Sequence, residues 1–260
     1  MTDLQKLTVL ISHSIKKAGR DVGFDVQTQT DFIIQLESSH APLTCSVGLT
    51  DNQEFIVGLS MSNVVHTLTS DGEKVIEPSE LSASGLLITG AFKVLDTTKL
   101  EAFLKRSWLL SRSLPNALIG RFEKALFEIS ATEREATVRQ RGGQNLFREG
   151  LLALWGGRCA ITGLDTPELL RASHAKPWAD SSDIERLDVF NGLLLAAHWD
   201  AAFDSGLITI STSGKVIPSE ALSDSTKEVL RLSDVLKIRV QAQHEPYLKW
   251  HREFVFEKNI

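Results

Sequence analysis

The chain is poor in cysteine, with only Cys45 and Cys159 among its 260 residues. Two thiols cannot build a disulfide framework or a four-cysteine zinc site. Their scarcity fits a reducing, cytoplasmic setting. No stretch reaches 18 uninterrupted apolar residues, so no membrane-spanning helix is expected. Met1-Thr2-Asp3-Leu4 lacks the basic start and apolar run of a secretory signal. There is no internal repeat and no low-complexity tract. Basic charge is not in excess either: 28 Lys and Arg stand against 33 Asp and Glu, for a net charge of −5. That excludes a polycationic chain but not nucleic-acid binding, which needs only a local basic patch. What remains is 42% hydrophobic and 23% charged, an ordinary globular composition with length for one large domain or two modest ones.

The first half reads as a small α+β domain. Residues 22–68 predict short strands separated by turns, at Val22–Thr28, Phe32–Leu36 and Phe55–Leu59, and a further strand is expected at Gly85–Leu95. Asp71-Gly72 marks a tight turn. Thr98-x-x-Glu101 is a capping-box signal, with Leu100, Phe103, Leu104 and Trp108 following at helical spacing. A second helix is expected over 116–129. The segment 130–141 has few apolar anchors and Gly142-Gly143 closes it. The sequence therefore predicts domains at 1–135 and 136–260. Beyond the boundary, Leu146, Phe147, Gly150, Leu151 and Leu154 predict a short amphipathic helix ending at Gly156-Gly157. The tail predicts a helix near 225–233, a strand near 235–241 and a last aromatic segment around Tyr247, Trp250, Phe254 and Phe256.

The chemistry concentrates between 158 and 210. Asp200 and Asp204 are four apart, which sets both carboxylates on one helical face. Two like charges there weaken a bare helix, and a divalent cation reverses that sign. Mg²⁺ takes one or two protein carboxylates together with waters and phosphate oxygens. His198, two residues before Asp200, faces away from the pair. A neutral imidazole at His174 can take a proton from water. It needs a partner to fix its tautomer, and the Asn191 carbonyl is the candidate. An activated water beside a metal-polarised phosphate is the chemistry of phosphodiester hydrolysis.

These blocks, taken together, resemble the HNH, or ββα-metal, endonucleases. They are Gly-Arg-Cys-Ala-Ile-Thr-Gly (157–163), Ser-His-x-x-Pro-Trp (173–178), Arg-Leu-Asp (186–188), Asn-Gly-Leu-Leu-Leu (191–195) and Asp-x-x-Phe-Asp-x-Gly-Leu-Ile (200–208). The lead-in Arg141–Arg148 has the same character, and the resemblance spans roughly 139–256. It is closest to the cysteine-free, restriction-type branch. It implies a strand ending at the base His174, a second strand opened by Asn191, and a following helix carrying the metal ligands Asp200 and Asp204. The chain departs from the pattern in having Ser173 where many members carry a further ligand, and Asp200 where the motif's last histidine would stand. Carboxylates are harder ligands than imidazole, which favours one Mg²⁺ or Mn²⁺ over zinc. Cys159 keeps one of a CxxC pair, and Ala196 and Trp199 occupy the second pair's positions, so no structural zinc is expected.

Each residue also has a plainer reading. Alone, His174 is a surface histidine, Asn191-Gly192 a hairpin turn, and the two aspartates a solvated helix face. Arg141, Arg148, Arg158 and Lys176 are candidates for phosphate contacts, whereas Arg186 is expected to pair with Asp183 or Asp188. Ser173 can bond a metal water. His198 is read as a structural or phosphate-contacting residue, with no catalytic role assigned. The basic clusters Lys16-Lys17-Arg20 and Lys105-Arg106 with Arg112 read as solvated helix faces. The resemblance implies DNA as partner, target choice in the first domain (a modified base included), a restriction or phage-defence role, and a homodimer for double-strand cutting. Two rival readings are a DNA-binding protein on a weakened HNH fold, and an effector nuclease whose first domain senses a ligand or partner.

Overall fold

The computed structural model describes residues 4–77, 81, 87–114, 117–118, 120–121, 134–232 and 236–256, with the backbone alone for 134–140. The chain divides into two compact units, Met1–Leu114 and Pro115–Ile260. Each mixes helices with antiparallel strands, compatible with an α+β fold.

The first unit is built on an antiparallel sheet. Its strands are β1 (Val26–Gln29), β2 (Ile33–Ser38), β3 (Ala41–Leu49), β4 (Phe55–Leu59), β5 (Val75–Ile76) and β6 (Gly90–Val94), in the order β1-β2-β3-β4-β6-β5. Every residue of β4, Phe-Ile-Val-Gly-Leu, is buried. That explains its unbroken apolar run, since both faces of a central strand are covered. Ile33, Ile56, Leu81, Ile88 and Ala91 form the core on one side. The helices are α1 (Val9–Val22), α2 (Ser62–Ser70) and α3 (Thr97–Ser113).

Three expectations need correction here. Val22 ends α1 rather than opening a strand. The helix is capped by the Thr8 side chain, buries Ile15, Ala18 and Gly19, and stops at Gly23 with φ +119, a conformation that favours glycine. The segment 62–70 within the expected strands is helical, because Val64, Thr67 and Leu68 recur at helical spacing and are buried. The cap of α3 is Asp96, whose carboxylate accepts the Lys99 amide at 2.8 Å, rather than Thr98. Within the basic clusters, Lys17 pairs with Asp21, Arg106 with Asp71, and Arg112 lies over the Trp108 ring.

The second unit opens with α4 (Arg134–Leu154). Gly142-Gly143 does not close a segment; the helix runs through both. Two helical glycines cost about 1 kcal/mol each, and the buried face of Phe147, Leu151 and Leu154 outweighs them. The helix does end at Gly156-Gly157, both with positive φ. Most of the helix expected over 116–129 lies outside the described residues.

Next come β7 (Leu170–His174), α5 (Asp183–Leu187), β8 (Gly192–Ala196) and α6 (Ala197–Asp204). β7 and β8 pair antiparallel, with His174 opposite Gly192. A hairpin of β9 (Ile208–Ile210) and β10 (Val216–Pro218) follows, then α7 (Asp224–Val229), α8 (Glu245–His251) and a wider turn over Arg252–Phe256. Within 236–241 only a single bridge, Lys215 to Lys237, replaces the expected strand. No helix among the described residues is long and apolar enough to cross a membrane.

Candidate active site

The β7–β8 hairpin followed by α6 sets the site. β8 is Gly-Leu-Leu-Leu-Ala, buried throughout, so its register is fixed by packing on both faces. Gly192 is required by close approach. A Cβ there would collide with Phe147 Cζ and sit 2.9 Å from the Ser173 carbonyl oxygen.

His174 ends β7, half-buried. Its ring stacks on Phe147 at 3.7 Å and 13°, and meets the Trp178 ring edge-on at 5.7 Å. Nε2 donates to the Arg186 carbonyl at 3.0 Å. A carbonyl only accepts, so the proton belongs on Nε2 and the lone pair on Nδ1. Burial holds the imidazole down to about 4, against the weaker opposing pull of the Arg186 carbonyl. The ring is therefore neutral at physiological pH with a free basic nitrogen.

Asn191 is fully buried, and its role differs from the expected one. Its carbonyl oxygen accepts the Lys176 amide at 2.8 Å, and its amide group donates to the carbonyls of Glu185 at 3.0 Å and Lys176 at 3.2 Å and to Ser181 Oγ at 3.3 Å. It pins the loop between the strands and does not touch the imidazole. The Arg186 carbonyl sets the tautomer instead. This follows from the loop's need for partners: its backbone groups turn inward, and a buried amide satisfies several of them at once.

Asp200 and Asp204 lie on α6 as spaced in the sequence. Ser173 Oγ donates to Asp204 Oδ1 at 2.9 Å and lies near Asp200 as well. Burial pushes both carboxyls above their ordinary range. For Asp204 the Asp200 charge adds to this, and the Ser173 hydroxyl opposes it. Among the described residues no group of three or more His, Cys, Asp or Glu is placed to hold an ion. Two repelling, partly buried carboxylates fit a hard divalent cation whose other positions are filled by water. A cleft of about 350 Å³ is lined by Ser173, His174, Trp178, Asp204, His251 and Val255.

The candidate phosphate contacts are mostly spoken for. Lys176 Nζ bonds both oxygens of Glu185 at 2.7 and 2.8 Å. Arg148 donates to the carbonyls of Leu170 and Pro167. Arg158 pairs with Asp165 at 3.1 Å. Arg141 is exposed on α4, and His198 is exposed beside Trp199. Arg186 pairs with Asp183, as one of the two expected acids, and lies over Trp178. Cys159 is buried, and its sulfur accepts the amides of Ala196 at 3.2 Å and Thr162 at 3.4 Å.

Sequence reasoning missed the parts played by Phe147 and the Arg186 carbonyl. The resemblance does imply a tail packed on the nuclease core through His251-Arg252, with Tyr247 and Trp250 nearby: His251 is buried against Phe203, and Tyr247 bonds Asp188. Arg252, a candidate phosphate contact, donates to the Ile210 carbonyl. Residues 159–211 match the family model for HNH endonucleases. No curated protein matches the chain.

Proposed function

We propose that this chain, whose residues 159–211 match the HNH endonuclease family model, is a divalent-metal-dependent DNA endonuclease of restriction or phage-defence type. The observation that carries the reading is the state of His174. Its Nε2 proton is committed to the Arg186 carbonyl, its ring is clamped on Phe147, and burial keeps it neutral. Nδ1 is then a general base for water. Asn191 acts at one remove, by fixing the loop whose Arg186 carbonyl holds the ring. Asp200 and Asp204 would hold one Mg²⁺ or Mn²⁺, with Ser173 orienting the Asp204 carboxylate. When bound, the ion supplies charge stabilisation at the scissile phosphate. The nuclease core reads mainly backbone, so target choice, including any preference for modified bases, is assigned to the first domain. Cutting both strands would call for two sites, as in a homodimer. A cytoplasmic location suits such a role.

The test is incubation of the purified protein with unmodified DNA and with DNA carrying modified cytosines, in Mg²⁺ or Mn²⁺, beside His174→Ala. Cleavage by the wild type that the variant loses is expected. Failure of the wild type on every substrate would overturn the stand-alone nuclease. A second reading, a DNA-binding protein on a weakened nuclease fold, draws on the two-carboxylate site with serine at 173. It predicts no rise in melting temperature with Mg²⁺ or Mn²⁺.

A further inference from the structure

The segment from Glu245 to Phe256 lies outside the family match, yet it reaches both halves of the site. On one side, the Tyr247 hydroxyl donates to Asp188 Oδ2 at 2.8 Å. The other oxygen of that carboxylate accepts the Phe190 amide at 2.9 Å and caps the short turn Val189–Asn191. The Asp188 carbonyl accepts the Asn191 amide, and the Asn191 carbonyl accepts the Ala175 amide, both at 2.9 Å. A continuous set of bonds thus runs from Tyr247 to the residue beside His174. On the other side, His251 stacks on Phe203 at 3.7 Å and 4°. Its Nε2 donates to the Phe203 carbonyl at 2.9 Å, one residue before Asp204, and its Nδ1 accepts the Thr209 hydroxyl at 2.9 Å. An apolar ring would fill the same space without these bonds. The imidazole ties the end of α6 to β9 and also lines the cleft with His174 and Asp204. Arg252 anchors the segment by donating to the Ile210 carbonyl at 2.8 Å.

Resting on the nuclease reading above, we infer that this carboxyl-terminal segment is a brace for the active site. Tyr247 is a positioning residue for the turn that carries Asn191, and His251 for the end of α6 that carries Asp204. Neither residue handles the substrate proton.

The test uses the full chain as wild type, Tyr247→Phe, His251→Leu and His251→Gln. Amide hydrogen exchange is followed in the cold, well below the melting transition, and cleavage of plasmid DNA is measured with Mg²⁺. Tyr247→Phe should raise exchange at 188–192, and His251→Leu at 203–206, with the rest of the second unit unchanged. Each should lower kcat about 10- to 100-fold with KM for DNA unchanged, the scale expected of a misplaced reacting group. His251→Gln, whose amide can still donate to the Phe203 carbonyl, should restore most of the rate lost in His251→Leu. Exchange that rises uniformly, or folded variants with wild-type kcat, would overturn the brace. If His251→Leu does not fold, Tyr247→Phe decides by the same criteria. Wild-type protein that cuts no DNA would sink the nuclease reading, and local against uniform exchange would then judge the brace alone.

Discussion

Replacing Asp204 by Asn should invert the order of melting temperatures when Mg²⁺ is added. Asp200 sits in the first turn of α6, where the helix dipole favours a carboxylate, and Asp204 is its last residue, where the dipole opposes one. Removing the Asp204 charge relieves an i,i+4 repulsion of about 0.2–0.5 kcal/mol and an unfavourable helix-end charge of about 0.3–1 kcal/mol. Asparagine keeps an oxygen for Ser173 to donate to, at a loss of about 0.5–1 kcal/mol of charge assistance. The balance favours the variant by about 0.25 kcal/mol without metal, or about 0.5–1 °C for a unit the size of residues 115–260. Mg²⁺ at a hundredfold excess over its Kd should stabilise the wild type by about 2.7 kcal/mol. That corresponds to about 5–10 °C. The variant should respond little. The assay is thermal unfolding in EDTA and in a Mg²⁺ series. A variant that melts lower than wild type in EDTA, or that gains as much from Mg²⁺, would refute the reasoning.

Other outcomes follow from the same geometry. His174, His244 and His251 are each held down to about 4, burial being the first cause in all three. All three are depressed below the ordinary 6.5, so the unfolded chain takes up protons that the fold refuses. The stability they contribute is complete above about pH 6.5 and is lost as pH falls towards about 4, by up to about 4 kcal/mol per pH unit. Asp188, Asp200 and Asp204, whose carboxyls are raised, offset part of that loss. Urea unfolding across this range should show the midpoint dropping with pH, and a flat midpoint would contradict the burial of these rings. Gly192→Ala should cost about 1–3 kcal/mol or more through overpacking. The clash falls on Phe147, so cleavage should drop further than stability explains. A variant with wild-type rate and stability would mean that the ring moves aside freely. Asn191→Ala should cost about 2–4 kcal/mol by leaving buried loop groups unpartnered. It should also lower kcat while leaving KM for DNA near wild type, as measured by urea melts and plasmid cleavage.

The strand–loop–strand–helix order was legible through the resemblance to the HNH endonucleases, which implies a strand ending at His174 and a second opened by Asn191. Spacing alone set Asp200 and Asp204 on one helical face. The positions of Ser173, Asp200 and Asp204 relative to one another follow from that order. The partners of individual side chains did not. Spacing cannot say which way the Asn191 amide turns, and the answer depended on how many inward-facing groups the 176–185 loop had to satisfy. Lys176 and Arg148 look like phosphate contacts because a sequence shows a charge without its partner, whereas the fold gives them Glu185 and two carbonyls. Phe147 is separated from His174 by the whole of the intervening loop and strand, so their stacking is a tertiary fact. Gly142-Gly143 misled for a related reason: local propensity marks a break, and packing of the helix's far end overrides it.

The two halves of the site are tuned in opposite electrostatic directions. A base must keep its lone pair, and His174 does so chiefly because its ring is buried, against a phenyl face and an indole edge, with the Arg186 charge acting in the same direction. On the proposed nuclease reading a cation is drawn by paired negative charge, and Asp200 lies close enough for its charge, after burial, to raise the proton affinity of Asp204. Ser173 stands between these demands, one residue before the base and within hydrogen-bond reach of Asp204. A carboxylate at 173 would set a further negative charge beside the imidazole, but a ring held down to about 4 can rise and stay neutral at physiological pH. The neutral hydroxyl steadies Asp204 by donating to it without adding charge. On the proposed nuclease reading, serine at 173 therefore bears on cation affinity rather than on the protonation state of the base.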